Sequence, residues 1–173
     1  MKRTLMILLG VLFSVSAFAQ TNAIDEMMDK YSDREGYTYV SISGKMLGML
    51  ASMQSEEEKA QSPLPKIKSI RILTTDSLNV YKVNFYNELS KKVDFSAYEE
   101  LMVVKEQKEI TKFLVKQNGN IVTELLLISG GQGENTLISI RGDIDLKKIS
   151  EISKTVGIDE LNQLDDANKK PQK

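Results

Sequence analysis

Five of the eight methionines stand at helical spacing, Met27 and Met28 in one segment and Met46, Met49 and Met53 in another. Thioethers in such stripes have three uses: soft ligands for copper(I), an adaptable apolar groove for a partner, or filling between helices and a sheet. Packing is the preferred reading, because no Met-x-x-Met run is dense enough for a copper chaperone. The chain contains no His, Cys or Trp. That removes Ser-His-Asp and Cys-His nucleophile systems and ordinary zinc sites, all of which need an imidazole or a thiolate. It leaves carboxylate, lysine, serine and tyrosine chemistry.

None of these is assembled by spacing alone. Asp25, Glu26 and Asp29 fall near a helix start, where negative charge suits the helix dipole, and Glu56-Glu57-Glu58 reads as a solvated end. A carboxylate-dependent hydrolase needs two acids facing one groove, or one buried acid with a raised pKa. Ser62, Lys66 and Ser69 do not form a Ser-x-x-Lys motif. Gly130-Gly131-Gln132-Gly133 resembles a phosphate cradle in composition only, since such cradles lie between a strand and a helix N-terminus and this run joins two strands. Tyr37 and Tyr39 share one face of a strand and either pack across strands or face a ligand. The candidate partner or ligand surface is therefore Tyr37, Tyr39, Met46, Met49 and Met53. No catalytic, metal or cofactor-binding residue is assigned.

The stretch LMILLGVLFSVSAFAQ bears on where these residues work. Lys2 and Arg3 make a basic n-region, Leu5 to Val15 an apolar h-region, and Ala17-x-Ala19 a signal-peptidase pattern. The apolar run is too short for the roughly 20 residues of a bilayer-spanning helix. Residues 1–19 are expected to be removed, which places the mature chain in a periplasm or beyond, with no membrane span. Removing 19 of 173 residues leaves 154, one domain's worth, and taking Lys2 and Arg3 from 23 basic and 24 acidic residues leaves a net charge of −3. A weakly acidic chain has no electrostatic case for nucleic acid or an anionic membrane. Without cysteine, the fold must hold without disulfides.

The pattern along the chain alternates between periods. Ile24, Met27, Met28 and Tyr31 make a helical stripe; Tyr37 to Ser43 alternates as a strand; Met46, Met49, Leu50 and Met53 are helical again. A strand follows from Lys66 to Thr75. Residues 76–92 read either way, with preference for a helix capped by Asp76 or Ser77 and carrying Leu78, Tyr81, Phe85 and Leu89. Four β-rich runs come next, Glu100 to Glu106, Ile110 to Gln117, Ile121 to Ser129 and Thr136 to Arg141. Asn118-Gly119 signals a type I′ hairpin between the middle two. Asp143 or Asp145 caps a last helix through Leu146, Ile149, Ile152 and Val156 that Gly157 stops. A short turn from Asp159 to Leu164 precedes a polar tail, 165–173. The expectation is one α+β domain over 20–164, a two-layer sandwich whose mostly antiparallel sheet ends in a four-strand meander, with helices on one face.

The segments YEELMVVKE, ELLLISGG and LISIRGDIDLKKIS, with the exported architecture, resemble the Bacteroidota family labelled domain of unknown function 4252. The resemblance covers most of the mature chain. It implies small exported proteins of the cell envelope with no assigned activity and carries over no catalytic residue. The expected function is a non-enzymatic module acting by contact with an unknown envelope protein. The alternative is a carrier of a small apolar ligand or lipid in a Met- and Leu-lined pocket, with a carboxylate-dependent hydrolase the remaining class.

Overall fold

The computed structural model describes residues 23–75, 82–158 and 161. The leader, the Asp76/Ser77 cap, nearly all of the Asp159-to-Leu164 turn and the polar tail lie outside the described residues. Helix α1 (Ala23–Tyr31) buries the stripe Ile24, Met27, Met28 and Tyr31, as its periodicity requires. Strand β1 (Tyr37–Ser43) runs directly into α2 (Gly44–Ser52), because Ser43 ends the strand and caps the helix, its Oγ accepting from the Met46 amide at 3.3 Å. A short α3 (Glu56–Gln61) follows, built on a reciprocal capping box between Ser55 and Glu58. The Glu56-Glu57-Glu58 run is thus a separate exposed helix rather than the solvated end of another. Hydrogen bonds from Ser55 hold the Glu58 carboxyl below its usual pKa.

After β2 (Ile67–Thr75), the segment read as a helix from 76 is helical only over α4 (Phe85–Leu89) among its described residues. Its cap is Asn84, whose side chain accepts from the Asn87 amide at 2.8 Å. The meander is β3 (Glu99–Glu106), β4 (Glu109–Asn118), β5 (Ile121–Gly130) and β6 (Thr136–Ile144). Asp145 caps a 3-10 turn that leads into α5 (Ile149–Val156), and Gly157, at φ 73°, closes it. Both features match their sequence signals.

All strand pairs are antiparallel in the order β1-β2-β6-β5-β4-β3, so the protein is an α+β fold around one six-stranded sheet. The chain lays down β1 and β2, crosses to the far edge, and meanders back until β6 closes against β2. Helices lie on both faces, where the sequence reading put them on one. Leu47 and Ala51 of α2 and Ile149 and Ile152 of α5 pack with Ile70, Phe113, Leu125, Leu127, Ile138 and Ile140. Ile24, Met28 and Phe85, from α1 and α4, pack with Leu73, Leu114, Leu126, Ile128 and Leu137 on the opposite face. The cause is visible in Leu125-Leu126-Leu127-Ile128. A strand with one wet face alternates, whereas this unbroken run is buried on both sides and needs a helical layer on each.

The hairpin at Asn118-Gly119 forms one residue later than its signal. Asn118 pairs with Ile121, leaving Gly119 and Asn120 as the central residues. Gly119 has φ 61° and Asn120 no positive φ, which is the requirement of a type II′ turn, with glycine first, rather than I′. Strand β6 outruns its expected end at Arg141 because Gly142 adopts φ 151°. A Cβ there would fall 2.7 Å from the Ile67 Cα, so glycine alone lets β6 pass this close to the start of β2.

Candidate functional site

The five candidate residues do not converge. Tyr37 and Tyr39 point to the face covered by α1 and α4, while α2 lies on the other. Tyr37 is half-buried and stacks on Tyr31, ring centroids 4.7 Å apart, with Phe85 next at 6.3 Å. Burial pushes the hydroxyls of Tyr31 and Tyr37 above their ordinary pKa. Tyr39 accepts a hydrogen bond from Arg71 Nε at 2.8 Å. These two rings hold α1 against the sheet more than they offer a platform.

The methionines split. Met27 and Met28 fill the seam under α1, at 3% and 0% exposure, as the packing reading expects. Met46, Met49 and Met53 overturn it, at 47%, 55% and 82% exposure. The buried stripe of α2 is instead Leu47 and Ala51, one residue round the helix. Helix α2 is apolar on nearly every side, so periodicity offers two stripes and does not choose between them. The choice is made by the junction. With Ser43 as both strand end and cap there is no linker to rotate, and the Gly44 Cα sits so close to β2 that a Cβ would lie 2.9 Å from the Lys68 carbonyl. The result is an exposed methionine ridge. Val40, 39% exposed, joins this layer, since its neighbours in register, Ile42 and Ile72, pack with α2.

Sequence reasoning missed a polar network under α1. Asp25 bridges two strands: its Oδ1 accepts from Arg71 Nη1 at 2.8 Å and its Oδ2 from Arg141 Nη1 at 2.9 Å. Asp29, one turn on, takes the other Arg71 Nη. Glu124, 5% exposed, accepts from Arg141 Nε at 2.8 Å, from the Ser139 hydroxyl at 3.0 Å and from the Tyr98 hydroxyl at 2.8 Å. Glu124 and Arg141 are direct cross-strand partners of β5 and β6. Burial, reinforced by the Glu124 charge, pushes the Tyr98 hydroxyl far above its ordinary value. Burial disfavours the Arg141 cation, but the hydrogen bonds it donates to Asp25 and Glu124 outweigh it and raise the pKa. A second tie lies beside it: burial disfavours the Glu88 carboxylate, yet hydrogen bonds from Lys30 and Tyr31 hold its pKa below the ordinary value.

Chemically this network is a clamp. Each oxygen of Asp25 and of Glu124 accepts a hydrogen bond from a protein donor, which ties α1 to β2 and β6 and ties β5 to β6. Two signals in the sequence point to it. Arg71 sits between Ile70 and Ile72, and Glu124 begins the run Glu124-Leu125-Leu126-Leu127; a charge inside an apolar strand is costly unless paired. Among the described residues no group of three or more His, Cys, Asp or Glu is placed to hold a metal ion.

The loop between β5 and β6 links strands, as its position between two β-rich runs implies, and is organised by fully buried Asn135. That side chain donates to the Gly133 carbonyl at 2.8 Å and accepts from the amides of Phe85 at 3.0 Å and Gly131 at 3.3 Å. It thereby ties the start of α4 to the hairpin.

The sequence profile of a family described as "Domain of unknown function (DUF4252)" matches residues 31–152, from the last residue of α1 into α5. The chain belongs to this family. The DUF4252 match therefore spans all six strands, the methionine ridge and both arginines of the clamp, whereas Asp25 and Asp29 precede it. No curated protein and no solved structure matches the chain. Among the described residues, no helix of this DUF4252 protein is long and apolar enough to cross a membrane.

Proposed function

We propose that this protein is exported to the cell envelope and works without catalysis, by contact with another protein through the exposed ridge of α2. The observation that carries the reading is Met46, Met49 and Met53 standing in water on a helix whose other apolar side is already packed. Unbranched thioether side chains adapt their shape to a partner at little cost and are favoured on docking surfaces. Export rests on the basic, apolar and small-residue sequence of 2–19. Tyr37 and Tyr39 contribute by fixing β1 beneath the ridge. A carrier of apolar ligands needs an open seam, and the residues between helices and sheet, such as Ile24, Met28, Leu47 and Phe85, are fully buried.

The test is capture from envelope extract of the producing cell, with the wild-type chain and with Met49→Glu/Met53→Glu as bait. The expected result is a defined protein retained by the wild type and lost from the variant, with both baits showing the same unfolding midpoint. Equal retention by both removes the ridge from the contact.

A further inference from the structure

The two edges of the sheet are guarded unequally. Edge strand β3 carries Glu99, Glu100, Lys105 and Glu106, and its ladder with β4 breaks between Glu100 and Met102. Charges and bulges of this kind are how natural sheets keep their edges from pairing. Edge strand β1, Tyr-Thr-Tyr-Val-Ser-Ile-Ser, has no charge and no proline, and its ladder with β2 runs unbroken from Tyr37↔Thr75 to Ser43↔Ser69. Among the described residues it has β2 on one side and no strand on the other.

We infer that β1 is a self-association edge: two copies of the chain pair antiparallel along Tyr37–Ser43, centred on Val40, and join their sheets into one. The strand is complementary to itself in this register. Val40 meets Val40, Thr38 meets Ile42 and Tyr39 meets Ser41, so β-branched side chains face one another on the α2 side and each tyrosine faces a small residue on the other. The flanks agree in charge. Glu35 and Lys45 are equidistant from Val40, so the pairing brings the net acidic turn Asp33-Arg34-Glu35 of each copy to the Lys45 end of the other. Such a contact is isologous and closes at two copies. It leaves β3 as the guarded edge at each end of the joined sheet, and it stands or falls independently of what binds the methionine ridge.

Light scattering on the purified chain over a concentration series tests it, with Val40→Lys as the variant. The wild type should give twice the mass of one chain, and V40K, which sets two like charges on the two-fold axis, should dissociate at least about tenfold more readily. The cysteine-free chain permits a second measurement that does not depend on V40K folding. Facing residues of an antiparallel pair have Cβ atoms about 4.5–5.5 Å apart, near disulfide reach. Val40→Cys should therefore oxidise to a covalent dimer, while Leu101→Cys, at similar exposure on β3, should not. A single-chain mass at every concentration overturns the inference, as does cross-linking of L101C in preference to V40C. Cross-linking of V40C only to a different protein in the envelope overturns it as well.

Discussion

Replacing Asp25 by Asn measures what the polar clamp contributes. The side chain keeps its shape but loses its charge, and one of its two oxygens becomes an NH2 group facing a guanidinium. Both are donors, so one of the contacts now at 2.8 and 2.9 Å is lost outright and the other becomes a neutral-acceptor bond. Hydrogen bonds to charged groups contribute a net 1.5–3 kcal/mol each, roughly. Arg71 retains Tyr39 and Asp29, and Arg141 retains Glu124, so neither cation is stranded. The expected loss is about 2–3 kcal/mol. With a urea m-value of about 1–3 kcal/mol/M for a chain of this size, the unfolding midpoint should fall by roughly 1 M or more at unchanged slope. Asp29→Asn is the internal control: its side chain is 67% exposed, and an ion pair so placed contributes only about 0–1 kcal/mol. The Asp25 effect should persist in high salt, because a sheltered pair is poorly screened. A D25N loss below about 0.5 kcal/mol, or one equal to that of D29N, refutes the reasoning.

Gly142→Ala should cost about 2 kcal/mol or more in urea unfolding, since it combines a strained φ with a Cβ against the β2 backbone; a neutral substitution would mean that β6 and β2 separate without penalty. Asn135→Ala should cost roughly 2–3 kcal/mol because it leaves the buried Phe85 amide without its acceptor, and hydrogen exchange at the start of α4 should report the loosening. Tyr31, Tyr37 and Tyr98 all have folded-state pKa values raised above 10, first by burial. A raised value favours the fold while the unfolded hydroxyl is neutral, so that stability is complete below pH 10 and declines as the pH climbs beyond it. Tyrosinate absorbance should show the three rings titrating with unfolding, and reversible ionisation of all six tyrosines near pH 10 in the folded protein would contradict the packing.

What could be read in advance depended on how local the determinant is. Helix α1 was legible because its four apolar positions are flanked by polar residues on every other side, and the meander because its β-branched runs are punctuated by Asn118-Gly119 and the glycine-rich link. Ser55-x-x-Glu58 is a local capping-box signal too, although the three adjacent glutamates point first to a solvated end. Helix α2 was not legible, since Met-Leu-Gly-Met-Leu-Ala offers two apolar stripes and only the contact of Gly44 with β2 selects one. The second helical layer hid behind the assumption that a sheet has a wet face, which the Leu125-to-Ile128 run contradicts. The clamp depends on register. Asp25 and Arg141 lie 116 residues apart, and nothing in their local sequence says that β6 will close against β2 and bring them together.

The most direct test of the contact role is methionine oxidation mapped residue by residue by mass spectrometry, once on the purified chain and once in the intact producing cell. Met27 and Met28 should resist in both. Met46, Met49 and Met53 should oxidise readily in the purified chain and be protected in the cell, where the partner covers them; equal oxidation of the three in both settings would contradict the account.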